Sequence, residues 1–323
     1  VFLQIIKSPN KHFLMIRYII SRILGLIGVL VVVSIITFSL MHAVPGGPFD
    51  EEKMPLSVEA KANILRKYGL DKPLYEQYGR YMWHALQFDF GIPFQSPGET
   101  VTDLISRTWP ISLQLGGMGL AIAFVFGILL GIISAVRQNT WVDYGTTVLS
   151  TLGITVPSFA ISILFIVVFA TIWRILPTGG WGGPETWIMP VVVYALGPMA
   201  IIARYTRSSV LENLRADYVR TARAKGLKER TILSVHVMKN SLIPLMTIMG
   251  PMLPGVLTGS LFVEGIFRIP GLGQFFVTSI FERDYPMIMA LTLLVAVLIG
   301  ITYLITDILY AIVDPRVRYV RGK

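Results

Sequence analysis

The stretch Arg207-SSVLENLRADYVRTARAKGLKERTILSVHVMKNSLI-Pro244 is a basic, polar segment set between long apolar runs. Its first half has the spacing of an amphipathic helix: Leu211, Leu214, Tyr218 and Ala222 recur at intervals of three and four, while Arg215, Arg220 and Arg223 fall off that line. Gly226 is placed to end this helix, because glycine takes the left-handed conformation of a C-terminal cap without a Cβ penalty. A second helix is predicted after it, with Ile232, Leu233, Val235 and Val237 apolar and Lys228, Arg230 and Lys239 basic. Helix, glycine turn and helix form a short knob that meets something soluble. The plainer alternative is a cytoplasmic loop held inside by its positive charge.

Composition sets the surroundings of this segment. The chain has 323 residues, of which 54% are hydrophobic and only 15% charged, with a mean hydropathy of +0.65. Soluble domains average about 25% charged residues, so the balance is that of an integral membrane protein. The net charge of +9 does not point to nucleic acid, since the basic residues are dispersed into segments that border apolar runs. Zero cysteines exclude a disulfide framework, thiolate catalysis and thiolate metal sites. His12, His42, His84 and His236 are scattered with no partner at metal-ligand spacing, so no metal site is expected.

A helix needs about 20 apolar residues to cross a bilayer. Six segments qualify: Ile19–Ala43, Ile111–Val136, Thr146–Ile172, Trp187–Ala203, Ser241–Val263 and Met287–Val313, the fourth being short and interrupted by Pro190 and Pro198. A cytoplasmic N-terminus puts Lys7, Lys11, Arg17, Arg22, Arg137, the basic segment, Arg316, Arg318, Arg321 and Lys323 inside. The short outside loops then hold only Arg174, Arg268 and Arg283, so both termini are expected in the cytoplasm. No cleavable signal peptide is apparent, and Met15 is a candidate for the working initiator.

The long polar stretch Val44–Thr108 has local order of its own. Ser57 offers an N-cap, with Glu59 in the first turn of a helix running to Tyr68 and stopped by Gly69. Asp71 is the expected cap of the next helix, whose face is Leu74, Tyr78, Tyr81, Met82 and Leu86. The fold class is therefore all-α: a polytopic membrane protein with six transmembrane helices and a helical external segment between the first and second. The expected divisions are residues 1–18 (cytoplasmic), 19–43 (first span), 44–108 (external), 109–313 (membrane core with the loop 207–240) and 314–323 (cytoplasmic tail).

Several motifs in order carry a family resemblance over nearly the whole chain. Arg220-Thr-Ala-Arg-Ala-Lys-Gly226, with His236 and Asn240-Ser-Leu-Ile-Pro244 after it, resembles the EAA loop of ABC importer permeases, in the B-type form of dipeptide and oligopeptide systems. Arg220 stands where that loop's general pattern begins with glutamate. Lys67-Tyr-Gly-Leu-Asp-Lys-Pro-Leu-Tyr-Glu-Gln-Tyr78, Asp89-Phe-Gly91, Thr108-Trp-Pro-Ile-Ser-Leu-Gln-Leu115 and Asp314-Pro-Arg-Val-Arg318 are also similar to the family, with Phe88 where glycine is common. The resemblance implies a type I importer permease fold in a bacterial or archaeal plasma membrane, with the external segment over the mouth of the pathway. It also implies Arg220, Thr221, Ala222, Arg223, Ala224, Lys225 and Gly226 as the helix that docks on an ATPase. The implied partners are a second permease subunit, two ABC ATPase subunits, an extracytoplasmic substrate-binding protein, and a peptide as substrate. ATP and Mg would be bound by the ATPases and no cofactor by this chain. Nickel complexes or another small solute remain alternative cargoes within the family.

The run Glu264-GIFRIPGLGQFFVTSIFERDY-Pro286 contains Ile269, Pro270, Gly271 and Gly273, which resemble the family's outer loop facing the binding protein; a simple turn is the other reading. Met246, Met249 and Met252 recur every third residue and suit either a pathway wall for varied side chains or ordinary helix packing. Ionisable groups are nearly excluded from the spans, where each costs about 2.5–3.5 kcal/mol on insertion scales. Asp307 is either paired or a proton relay, and Glu264 either interfacial or part of a gate. There is no Walker A loop, His-Glu-x-x-His helix or Gly-x-Ser-x-Gly elbow. An ion-coupled secondary transporter is the competing class, and it predicts intramembrane charges and internal repeats that are not evident.

Overall fold

The computed structural model describes residues 11–49, 58–94 and 98–313. Residues 1–10, Ser57 with its expected capping role, and the expected tail 314–323 with Arg316 and Arg318 lie outside the described residues. In chain order the helices are α1 (Lys11–Ala43), α2 (Val58–Tyr68), α3 (Leu74–Ala85), α4 (Val101–Val136), α5 (Trp141–Thr155), α6 (Ser158–Phe165) and α7 (Pro184–Leu214). They continue as α8 (Asp217–Ala224), α9 (Glu229–Thr231), α10 (Met238–Ser241), α11 (Ile243–Thr258), α12 (Leu261–Ile266), α13 (Leu272–Glu282) and α14 (Tyr285–Val313), with π-helical turns at Ile166–Ile172 and Ile232–Val237. No strand occurs among the described residues.

Among the described residues four helices are long and apolar enough to cross a membrane: Ile20–Ala43, Val101–Val136, Pro184–Leu214 and Tyr285–Thr306. A bent pair, Trp141–Thr155 with Ser158–Ile172, makes a fifth candidate. The expected third span is therefore not straight. It turns through 106° at Val156, which is extended (φ −79°, ψ 124°) ahead of Pro157, because the ring of a proline disfavours helix at the residue before it. The expected fifth span is also broken. Its helix α11 has 16 residues, about 24 Å of rise against a hydrocarbon core of about 30 Å, and it stops at Gly259 with φ 76°. The fourth, expected to be short, is one helix of 31 residues with Pro190 and Pro198 inside it.

The chain divides into two compact units, Val1–Trp109 with Phe275–Lys323 and Pro110–Gln274. In the first, α1 and α14 pack side by side, and the segment that carries α2 and α3 is fastened to their ends. Ser34 and Tyr78 hydroxyls lie 2.8 Å apart, the Tyr81 hydroxyl donates to the Pro286 carbonyl at 3.3 Å, and Arg283 reaches the Gly47 carbonyl at 3.4 Å. Phe49, Tyr68 and Phe94 form an aromatic cluster. Burial pushes the Tyr81 phenol up, so it stays a neutral donor. The expected cap at Asp71 is not used: Pro73 is the N-cap of α3, without a side-chain bond. Leu74 and Leu86 of the predicted apolar face are 53% and 73% exposed. Phe88 has φ 60°, the left-handed conformation that glycine accepts and a bulky residue resists.

In the second unit α4 lies close against α7. A Cβ on Gly127 would come within 2.9 Å of the Met199 carbonyl, and one on Gly131 within 2.6 Å of that of Ala203, so these small residues permit backbone approach. Leu115, Met189, Val193, Val263, Phe267 and Ile269 belong to one buried cluster of this unit. The outer faces of α1 and α5 keep aliphatics in the open, among them Leu24, Leu40, Leu149 and Leu152. Such contiguous apolar surface requires lipid or a partner chain to cover it.

Candidate functional site

The knob that opens the sequence reading is built in the second unit, and its root differs from expectation. Leu211 and Leu214 do not belong to the same helix as Tyr218 and Ala222, because α7 runs on to Leu214 and Ala216 is extended (φ −70°, ψ 149°) before α8 begins. Asp217 then occupies the first turn of α8, where a carboxylate is favoured by the helix dipole. Gly226 has φ 73° and ends the motif as the pattern predicts.

Two contacts fix the knob to its base. Val219, Ala222, Ile232 and Val237 bury their side chains with Ala135 and Val210 in one apolar cluster. Ser209 and Ser241 then donate to each other's carbonyls at 3.1 and 3.3 Å. Across the turn, Arg223 holds Glu229 at 2.7 Å and 3.3 Å. That guanidinium keeps the Glu229 carboxyl below the usual carboxylate range, and the carboxylate raises Arg223 in return. The pair is exposed and its worth is small; its effect is to brace the loop through Lys225–Lys228.

Of the seven docking positions expected from resemblance, Arg220, Thr221, Arg223, Ala224, Lys225 and Gly226 are exposed and Ala222 is 5% exposed. Ala222 packs inward and belongs to the knob's own core. The exposed surface gains two residues that sequence reasoning did not mark as docking positions, Leu227 at 40% and Val235 at 56%.

Directly before the knob sits a clamp centred on Asp143. Its carboxylate accepts from Arg207 Nε at 2.6 Å, Arg207 Nη2 at 2.8 Å, Ser134 Oγ at 2.5 Å and the Asn139 amide at 3.0 Å. Asp143 is 2% exposed. The bidentate fork joins α4, α5 and α7 at one point, the geometry for which arginine is suited. Sequence reasoning passed over Asp143. The signal was present: a lone carboxylate at the head of an apolar run, which burial obliges to find a cation.

The second cluster lies around the break after α11. Glu264 is fully buried and accepts from the Ser260 amide at 3.0 Å and the Gly273 amide at 2.7 Å, with further bonds from Ser112 and the Gln274 amide. Ser112 in turn accepts from the Leu272 amide at 2.8 Å. Glu264, expected at the interface or in a gate, is held inside the protein and ties the loop after Ile266 to α4. Ile269, Gly271 and Gly273 are buried with it, so of the four expected docking positions only Pro270 is exposed. Replacing Glu264 with alanine is expected to strand several buried donors, each worth about 1–3 kcal/mol. Thermal unfolding in detergent should fall by several degrees, and trypsin should cut faster at Arg268, which is exposed, as the loop around it loosens; an unchanged melting curve would count against the tether.

Met252 is partly buried and packs against Ala123, Ala195 and Ile202, the helix-packing alternative. The side chains of Met246, Met249 and Asp307 lie outside the described residues. Among the described residues no three His, Asp or Glu side chains converge to hold a metal ion.

The chain as a whole is similar to known transport proteins. Residues 127–319 match the family model described as binding-protein-dependent transport system inner membrane component, and residues 15–92 match the model of its N-terminal region. The dipeptide transport system permease protein DppB of Bacillus subtilis is 40% identical over 304 residues, covering 94% of this chain and 98% of the relative. The oligopeptide transport system permease protein OppB of Escherichia coli K12 is 39% identical over 307 residues, covering 94% and 100%. Among solved structures, the inward-facing MetNI methionine ABC transporter matches with a TM-score of 0.54 and 19% identity over 65% of this chain and 96% of that one. At that identity the likeness is one of fold, and it agrees with the expected all-α importer-permease architecture. Over both family models and nearly the full length of its relatives, this chain belongs to the binding-protein-dependent transport system inner membrane components.

Proposed function

We propose that this chain is the membrane-spanning permease subunit of an ATP-binding-cassette importer and forms half of a translocation pathway for short peptides. The observation that carries the reading is the knob α8–Gly226: it is rooted by a buried core in α4 and α7 and presents Arg220, Ala224, Lys225 and Leu227 outward. A lever needs both properties, a stiff base and a free docking face. The dipeptide and oligopeptide relatives supply the cargo class.

On this reading a second permease completes the pathway and two ATPases bind ATP and Mg, with no cofactor on this chain. An extracytoplasmic binding protein delivers the peptide near Pro270. Both termini and the knob face the cytoplasm of a plasma membrane. The clamp at Asp143 makes α5 and α7 move as one body when the knob is pushed, and the proline break at Val156 and the glycine break at Gly259 are where that motion can be absorbed.

The test is uptake by proteoliposomes holding this chain with its partner permease and ATPases. Labelled dipeptide should accumulate only with binding protein outside and hydrolysable ATP at the ATPases. Accumulation driven by an ion gradient without ATP would overturn the proposal in favour of a secondary transporter.

A further inference from the structure

A cavity of about 470 Å³ between α5 and α7 has chemistry that the coupling role leaves unused. Thr147 and Ser150 come from α5, and Arg204, Arg207 and Ser208 from α7, where the spacing i, i+3, i+4 sets all three on one face. The opposite side of α5 carries Tyr144, Val148 and Leu152, an exposed apolar surface suited to lipid. Polar side chains are therefore segregated toward the cavity.

The charges in it do not balance. Arg207 is neutralised by Asp143, both of whose oxygens are already taken by Arg207, Ser134 and Asn139. Arg204 makes no hydrogen bond or ion pair among the described residues, and neither do the hydroxyls of Thr147, Ser150 and Ser208. Arg204 follows immediately on the apolar run that ends at Ala203. It lies about 30 Å along α7 from Pro184, the depth at which a membrane helix leaves hydrocarbon. Arg204, Thr147 and Ser208 are exposed there, so the unpaired guanidinium and the hydroxyls beside it are open to an anionic solute.

One unbalanced positive charge beside three free hydroxyl donors fits a single monoanionic oxyanion. A nucleotide or a divalent phosphate would call for more positive charge. Resting on the peptide-permease reading, we propose that this cavity is a carboxylate site, in which Arg204 with Thr147, Ser150 and Ser208 takes the C-terminal carboxylate of a short peptide at the cytoplasmic end of its path. The carboxylate is a group that peptides share whatever their side chains, so a fixed cation can serve a varied cargo.

The experiment uses the assembled permease–ATPase complex in nanodiscs of zwitterionic lipid, without binding protein, titrated with Ala-Ala and with its C-terminal amide. Wild type should bind the acid at least about tenfold more tightly than the amide, as expected for a charge-assisted contact. Arg204→Gln should erase that preference and Arg204→Lys should keep part of it. Because Arg204 has no partner among the described residues, both variants should unfold at the wild-type temperature; if Arg204→Gln does not accumulate, the acid-to-amide ratio of Arg204→Lys against wild type decides. Equal binding of acid and amide by wild type, or a preference that survives Arg204→Gln, overturns the proposal. Loss of Ala-Ala binding on adding phosphatidylglycerol, with lipid retained through Arg204 in native mass spectrometry, overturns it by assigning the site to a lipid headgroup. ATP-driven Ala-Ala uptake by wild type tests the underlying reading separately, and can succeed while the carboxylate site fails.

Discussion

Replacing Asp143 with alanine is expected to lower the stability of the chain by about 3–5 kcal/mol, the range for breaking a buried ion pair from one side. The change removes the acceptor of four hydrogen bonds and leaves Arg207, whose side chain is 30% exposed, without its counter-charge. Ser134 and the Asn139 amide lose their acceptor as well. Desolvation is what makes the loss large, since the surviving charge cannot return fully to water.

The companion double variant Asp143→Leu with Arg207→Met should recover most of the loss, because an apolar pair of similar volume avoids the desolvation cost. Unfolding followed by tryptophan fluorescence in detergent would measure both. A single variant within about 0.5 kcal/mol of wild type, the scale of an exposed pair, would show that the clamp is solvent-screened. In the transporter the double variant is expected to insert normally yet to lose uptake relative to its stability, since a bidentate fork orients two helices and a pair of apolar side chains does not.

The second large effect is expected at Gly226. Leucine there should reduce ATP-driven uptake by at least about tenfold while the amount of inserted protein stays near wild type, the local strain of a left-handed non-glycine residue being about 1–2 kcal/mol. Within the chain there is open space around this position, with nothing within 4 Å of an added Cβ, so a leucine side chain meets no obstacle until a partner docks. Gly226→Ala provides the control: it carries the same backbone strain with far less reach and should retain most uptake. If both variants fall equally, backbone geometry alone is at fault. If neither falls, coupling lies elsewhere on the chain and the segment is reduced to a loop held inside by its charge.

Local chemistry made much of the architecture legible in the sequence. Apolar run length located α1, α4, α7 and α14, because a backbone in hydrocarbon must satisfy its own hydrogen bonds and does so as long helix. Gly69 and Gly226 marked their turns for a reason that needs no neighbours, the absence of a Cβ at positive φ. The order of motifs from Lys67–Tyr78 to the knob identified the family.

Tertiary structure decided what depends on partners distant in sequence. The apolar line put Ala222 on the inward face, whereas its partners Ala135, Val210 and Ile232 were decided only by the tertiary structure. The burial of Glu264 depends on amides from Ser260 and Gly273, nine residues or fewer away, and on Ser112, far back in the chain. Asp143 and Arg207 are 64 positions apart, and the sequence by itself determined only that each must be paired or wetted. Which carboxylate met which guanidinium followed from helix packing, because the cost of an unpaired charge in low dielectric is felt only once a fold has withdrawn the water.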